Sequence, residues 1–196
     1  MNVMGMTKKF VAAGLFAGCV LSTGVSLTGC LTSDTKDTPS TTTKTWSADT
    51  TIQVGAQGNA TLGSAIDLDA KKALLSAAAN AAQSSIDLVF LFSDGELQLG
   101  SPVYAKTLPD VPLAANYDLT KVKDIQLARV STKPDSLALA VSTFATTPQT
   151  NNAVVSGGGS FLVKTGDGRY AYISVDNIQG AGNTASAGIT ISLIGP

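Results

Sequence analysis

The chain has 196 residues, 44% of them hydrophobic and only 14% charged, with 13 basic side chains, 14 acidic ones, two cysteines and no histidine. The lack of histidine excludes Ser-His-Asp and Cys-His nucleophiles and any zinc site built on imidazole. A near-neutral chain also lacks the clustered Lys and Arg that nucleic acid demands, so neither a cofactor nor a nucleic-acid partner is expected.

The chain opens with a short basic end, Lys8 and Lys9, followed by the apolar run Phe10 to Val25 and then Leu27-Thr28-Gly29-Cys30. A charged start, an apolar stretch too short to span a bilayer comfortably and small residues at the cut describe a secretory leader, not a membrane helix. Thr28 and Gly29 are small enough for a peptidase to approach the bond before Cys30, whose thiol can carry a thioether-linked lipid. The tetrad resembles a bacterial lipobox. That resemblance implies cleavage after Gly29, acylation of Cys30 (palmitate among the chains) and a mature protein whose membrane partner is reached through this lipid. Leu31 stands where an aspartate would favour inner-membrane retention in some Gram-negative bacteria, so the outer membrane is the expected location. With residues 1–29 removed, 167 remain, enough for one domain and a tether.

Cys30 to Thr45 reads as that tether. Leu31 to Thr45 holds seven Thr, two Ser and Pro39 with balanced charges, and such a composition buries too little to offset its ordering entropy. Cys19 falls in the leader and Cys30 would be lipidated, so the folded part has neither a free thiol nor a disulfide. Without Lys8 and Lys9 the mature chain keeps 11 basic against 14 acidic residues, a net charge of about −3.

A single domain is expected over residues 46–196. Thr51 to Val54 alternates as a first strand ending at Gly55, and Ala65 to Asp69 reads as a short strand or extended entry. Ala70, Ala73, Leu74, Ala77, Ala78 and Ala81 then recur at helical spacing, with Asp69 placed as N-cap, predicting a helix packed closely on a sheet. Ile86 to Phe92 is apolar on both faces, a central strand, and Asp94-Gly95 turns it back into Leu97 to Leu99. Pro102, Pro109 and Pro112 point to a loop or edge path from Ser101 to Tyr117. Lys123 to Val130 reads as a strand. Leu137 to Phe144 stays open between a helix capped at Asp135 and an alternating strand.

The last third is a run of strands. Ser160 to Lys164 and Arg169 to Val175 flank Thr165-Gly166-Asp167-Gly168, and Gly188 to Ile194 closes the chain. With Asp167-Gly168 as the turn, Lys164 faces Ala171, which avoids setting it against Arg169. This register places Phe161, Val163, Tyr170 and Tyr172 on one face. Phe161, Tyr170 and Tyr172 are therefore the candidate ligand-binding residues, either as an exposed aromatic platform or, more commonly in such proteins, covered by a helix or loop. Short strands, Asp-Gly turns and no βαβ alternation predict a mainly β chain, an antiparallel sandwich with one or two short helices. The Asp-Leu-Asp segment, the Ala-rich stretch, Ile86-Asp87-Leu88-Val89 and Leu162 to Tyr170 together are similar to envelope lipoproteins of uncharacterised function with an immunoglobulin-like core. The similarity implies a fold and no activity.

Motifs that could carry chemistry mostly fail. Asp67-x-Asp69 begins like a calcium loop, but Lys71 takes the next ligand position and no Gly follows. Gly157-Gly158-Gly159 and Gly166-x-Gly168 lead into strands, so neither cradles phosphate on a helix N-terminus. The expected role is a non-catalytic binding or structural module of the envelope, with an envelope protein or a glycan as ligand. The alternative is a carboxylate-dependent hydrolase such as a glycosidase. That would need two of Asp67, Asp87, Asp94, Glu96, Asp118 and Asp176 to face each other about 5–9.5 Å apart in a cleft.

Overall fold

The structure, a computed structural model, describes residues 44–195; the leader, the lipobox with Cys30 and residues 31–43 of the tether lie outside the described residues. Eleven strands form two antiparallel sheets. The six-stranded sheet has the order β1 (Thr50–Gly55), β11 (Ser186–Ile194), β10 (Tyr170–Gln179), β9 (Gly159–Lys164), β6 (Leu127–Val130) and β7 (Gln149–Thr150). The five-stranded sheet has the order β3 (Lys72–Leu74), β2 (Ala65–Asp67), β4 (Leu88–Ser93), β5 (Glu96–Gly100) and β8 (Asn152–Val154). Their facing sides share one core, in which Phe90, Leu99, Leu127, Phe161, Ile173 and Ile191 are fully buried. The chain is an antiparallel β-sandwich.

Among the described residues four short α-helices cover the outer faces, more than the one or two expected: α1 (Ser76–Ala81), α2 (Pro102–Lys106), α3 (Pro112–Ala115) and α4 (Leu137–Thr146). Val89 and Leu91 of the five-stranded sheet pack outward against Ala79, Ala105, Leu113 and Tyr117. On the other side, Ala128, Leu162 and Tyr170 pack under Ala140 and Phe144 of α4. Both outer faces are therefore roofed, which explains why β4 and β9 are apolar on both sides.

The first strand, the central position of β4 and its Asp94-Gly95 turn agree with the sequence reading. Asp94 and Gly95 adopt φ of 53° and 81° between the paired Ser93 and Glu96, a two-residue turn matched to strand twist.

The Ala-rich helix is much shorter than its stripe. Asp67 Oδ1 accepts the N–H of Ala70 at 2.9 Å and Lys71 takes φ of 49°, a left-handed conformation that stops a helix. Lys72 to Leu74 then pair with Ala65 to Asp67 as a hairpin, and helix begins only after Leu75. Asp69 is thus no N-cap. Ala79 alone of α1 is buried, whereas Ala77 and Ala78 face solvent, so the expected close packing of those two on a sheet does not occur. Ala78→Leu should accordingly leave the unfolding free energy within about 0.5 kcal/mol of wild type. A calorimetric scan that shows a marked loss would put that helix face against something.

The Pro-rich stretch holds two single-turn helices instead of a loop. Ser101 Oγ accepts the N–H of Tyr104 at 3.1 Å and Pro102 follows at the first helical position, a pairing of cap and proline that starts helices. Leu137 to Phe144 is helical, capped by Ser136 and not by Asp135. The strand expected from Lys123 begins only at Leu127, because Lys123 and Asp124 are drawn out of line by side-chain bonds to Asp87 and Ser101.

The β9–β10 register also differs from expectation. Lys164 pairs with Tyr170, not Ala171, across a three-residue loop, Gly166-Asp167-Gly168. Thr165 and Arg169 close it, with Gly168 at φ of 86°, the arrangement of a type I turn followed by a left-handed Gly. The Thr165 hydroxyl donates to Asp167 Oδ1 and the Arg169 guanidinium Nε binds its Oδ2 at 2.6 Å. These bonds are unavailable to a two-residue turn.

Candidate functional site

Three places on the domain hold the side chains to which function could be attached. The first is the near end of the sandwich, where β1, β4 and β10 begin. Asp87 precedes β4 and is fully buried, yet it is charged-paired: Lys123 Nζ donates to its Oδ1 at 2.7 Å and the Leu68 N–H to its Oδ2 at 2.8 Å. Burial raises its pKa, and the bonds from Lys123 and Leu68 oppose that rise. The stem of Lys123 lies against Gly166 of the hairpin loop. Beside this pair, Arg169 bridges Asp69 and Asp167. The Thr165 hydroxyl, then Arg169, holds the Asp167 carboxyl down to about 2. Every carboxylate here is already spoken for by a cation, a hydroxyl or a backbone N–H. Among the described residues no group of three or more acidic, His or Cys side chains is placed to hold a metal ion.

The second is the aromatic face. The candidates Phe161, Tyr170 and Tyr172 do not share it, because the three-residue loop shifts β10 by one position relative to β9. Phe161 pairs with Ile173 and points into the sandwich core, under the Arg129 guanidinium at 4.8 Å from the ring centroid. Tyr170 is buried edge-on against Phe144, with centroids 5.6 Å apart. Tyr172 is half-buried, donates to Ser160 Oγ at 3.0 Å and meets Trp46 edge-on at 6.4 Å. A helix and the entering chain cover the tyrosines, so no exposed aromatic platform is formed.

Trp46 belongs to a strap that lays the entering chain across the sheet. Its indole N–H donates to the Pro134 carbonyl, and Lys133 Nζ sits 5.7 Å from the Trp46 ring and 5.8 Å from that of Tyr172. Lys133 also binds Asp49 at 2.6 Å and Ser192 at 2.9 Å. Lys71 Nζ holds Ser47 Oγ at 2.9 Å and the Ala48 carbonyl at 2.8 Å. The left-handed turn at Lys71 is what aims that ammonium at the strap.

The third place is the far end. There β10 outruns β9: its pairing with β9 stops at Val175 opposite Gly159, while its pairing with β11 continues through a bulge to Gln179 opposite Ser186. Asn177 takes φ of 48° in the bulge. Gly157, Gly158 and Gly159 turn away from the overhang, leaving an open groove of about 460 Å³ lined by Ser156, the three glycines and Val175 to Ile178. The glycine run had been visible in the sequence only as a failed phosphate loop, and nothing in it announced the bulge opposite.

Of the carboxylates weighed for hydrolysis, Asp67, Asp87 and Asp118 lie apart, whereas Asp94, Glu96 and Asp176 share the far end. Asp67 caps a turn, Asp87 is bonded to Lys123, Asp118 holds Thr120 and Lys121, and Glu96 accepts from Ser156. Asp94 sits at a hairpin tip and Asp176 lines the groove. No protein-family model, curated protein or solved structure matches the chain. Among the described residues no helix is long and apolar enough to cross a membrane.

Proposed function

We propose that the protein is a cell-envelope lipoprotein, held on a membrane through lipid on Cys30, whose sandwich serves as a non-catalytic binding or structural module. The observation that carries this is the succession of residues at the start of the sequence: Lys8 and Lys9, an apolar run, Leu27-Thr28-Gly29-Cys30 and then a Thr-rich spacer. The folded part supports it in two ways. The strap begins within a few residues of that spacer, as a module hung from a tether requires. Asp67, Asp69, Asp87, Asp118, Asp167 and Glu96 are committed to caps, ion pairs and hydroxyls, so binding is the simpler role.

Each buried CH₂ of an acyl chain contributes about 0.8 kcal/mol, so two or three chains hold a protein on a membrane almost permanently. Cys30→Ala is therefore expected to release the protein into the soluble fraction or to block its maturation. Detergent-free fractionation of cells decides it. A Cys30→Ala protein that matures normally and remains in the membrane pellet overturns the proposal.

A further inference from the structure

We infer that the far end of the sandwich takes a basic, extended peptide as an added strand beside the overhang of β10, an inference that rests on the binding-module reading above and names its ligand. The overhang is the first ground. Asp176 to Gln179 have β11 on one side only, because β9 ends at Gly159 and the chain before it turns away through the Gly158 N–H to Val155 carbonyl bond. These four residues, bent at the Asn177 bulge, leave a short free edge among the described residues, and an unpaired edge is what an incoming strand completes.

The space is the second ground. A side chain at Gly157 would meet nothing within 4 Å, and the groove of about 460 Å³ lies along the overhang where a continuation of β9 would run. Gly158, at φ of 77°, lies so close to the Val175 carbonyl that a Cβ there would stand 2.8 Å from its oxygen, and Gly159 takes φ of 150°, so only glycine fits where the loop leaves β10.

Charge is the third ground, and it selects the occupant. Asp67, Asp69, Asp87 and Asp167 near the chain entry are all ion-paired to lysine or arginine. At the far end Asp176 lines the groove, Glu96 reaches its rim through Ser156 Oγ, and Asp94 and Asp110 stand behind them at the β4–β5 turn. None of these four has an ion-pair partner among the described residues. The cation at the rim, Arg129, is engaged with the Phe161 ring and donates to the Val154 carbonyl at 2.6 Å. A positively charged strand meets complementary potential here, and an acidic one is repelled. The site also lies at the opposite end of the sandwich from the strap.

The test titrates the isotope-labelled full chain, in detergent micelles, with a short peptide alternating Lys and Val, and separately with its Glu and Val counterpart. Saturable amide shifts confined to Ser156–Gly159 and Val175–Gln179 are expected with the basic peptide and none with the acidic one. Asp176→Lys, at an exposed position, should weaken the basic peptide by about tenfold. No saturable shift, shifts centred on another edge, an equal response to the acidic peptide, or unchanged binding by Asp176→Lys each overturn the inference. Because the titration does not depend on where the chain resides in a cell, its failure leaves the Cys30 result standing, and a soluble Cys30→Ala protein leaves the titration open to judgement on its own.

Discussion

Lys123→Met is expected to cost about 3–5 kcal/mol of stability at neutral pH, far more than an exposed lysine would. Methionine keeps the apolar stem that lies on Gly166 but removes the ammonium from Asp87, which is fully buried with Leu68 N–H as its other donor. An unpaired carboxylate is then left in the interior. The pH dependence follows with a definite sign. Burial already sets the Asp87 pKa above its unfolded value, and a carboxyl raised on folding stabilises the native state while protonated and withdraws that support as pH rises through the folded pKa. Loss of Lys123 raises it further. The difference between wild type and variant should therefore shrink between about pH 7 and about pH 4. Denaturant melts at both values measure it. A deficit equal at the two would mean that Asp87 is not the group left stranded.

Phe161→Ala should be nearly as costly, about 3–5 kcal/mol, through lost transfer energy and the cavity left between the sheets. Phe161 is fully buried among residues of both sheets and carries the Arg129 guanidinium on its ring. Tyr172→Ala should cost distinctly less, since that ring is only half-buried and keeps its hydroxyl at Ser160. Urea midpoints with unchanged slopes would rank the two. Should Tyr172 prove the more costly, the register of β9 against β10 is not the one described.

That ranking turns on the least legible feature of the sequence. The register expected from the sequence for Thr165 to Arg169 rests on a two-residue turn, because Asp-Gly favours one. What selects three residues is a set of side-chain bonds, from Thr165 to Asp167 and from Arg169 to both Asp167 and Asp69. Asp69 is a hundred positions away in sequence from Arg169, so no local pattern contains it. The Ala-rich stretch failed for a similar reason. Its periodicity and propensity were real, but pairing of Lys72 to Leu74 with β2 outweighed them, as tertiary contacts commonly outweigh helix propensity.

Strands with strong local signals were legible. β1, β4 and β11 each carry alternation or a buried apolar run bounded by turn residues, and the sandwich follows from their number and their Asp-Gly and Gly-rich connections. The sites were less so. Asp87 and Lys123 lie 36 positions apart, and the groove needs a bulge whose only local sign is an Asn at positive φ. Ser101-Pro102 was a readable helix start that the density of prolines obscured.

The strap has a mechanical meaning. Trp46 to Asp49 are bolted to the sheet by Lys71, Lys133, Pro134 and Leu193, and the chain continues directly into β1 at Thr50. Tension drawn through Lys44 against a hold at the opposite end is directed along β1, which meets β11 antiparallel from Thr50 opposite Ile191 to Gly55 opposite Ser186. The load falls on that ladder in shear, with all of its hydrogen bonds sharing the force at once. Peeling them one at a time would require a sideways pull, and the bolts at Trp46 and Lys71 hold the chain out of that direction.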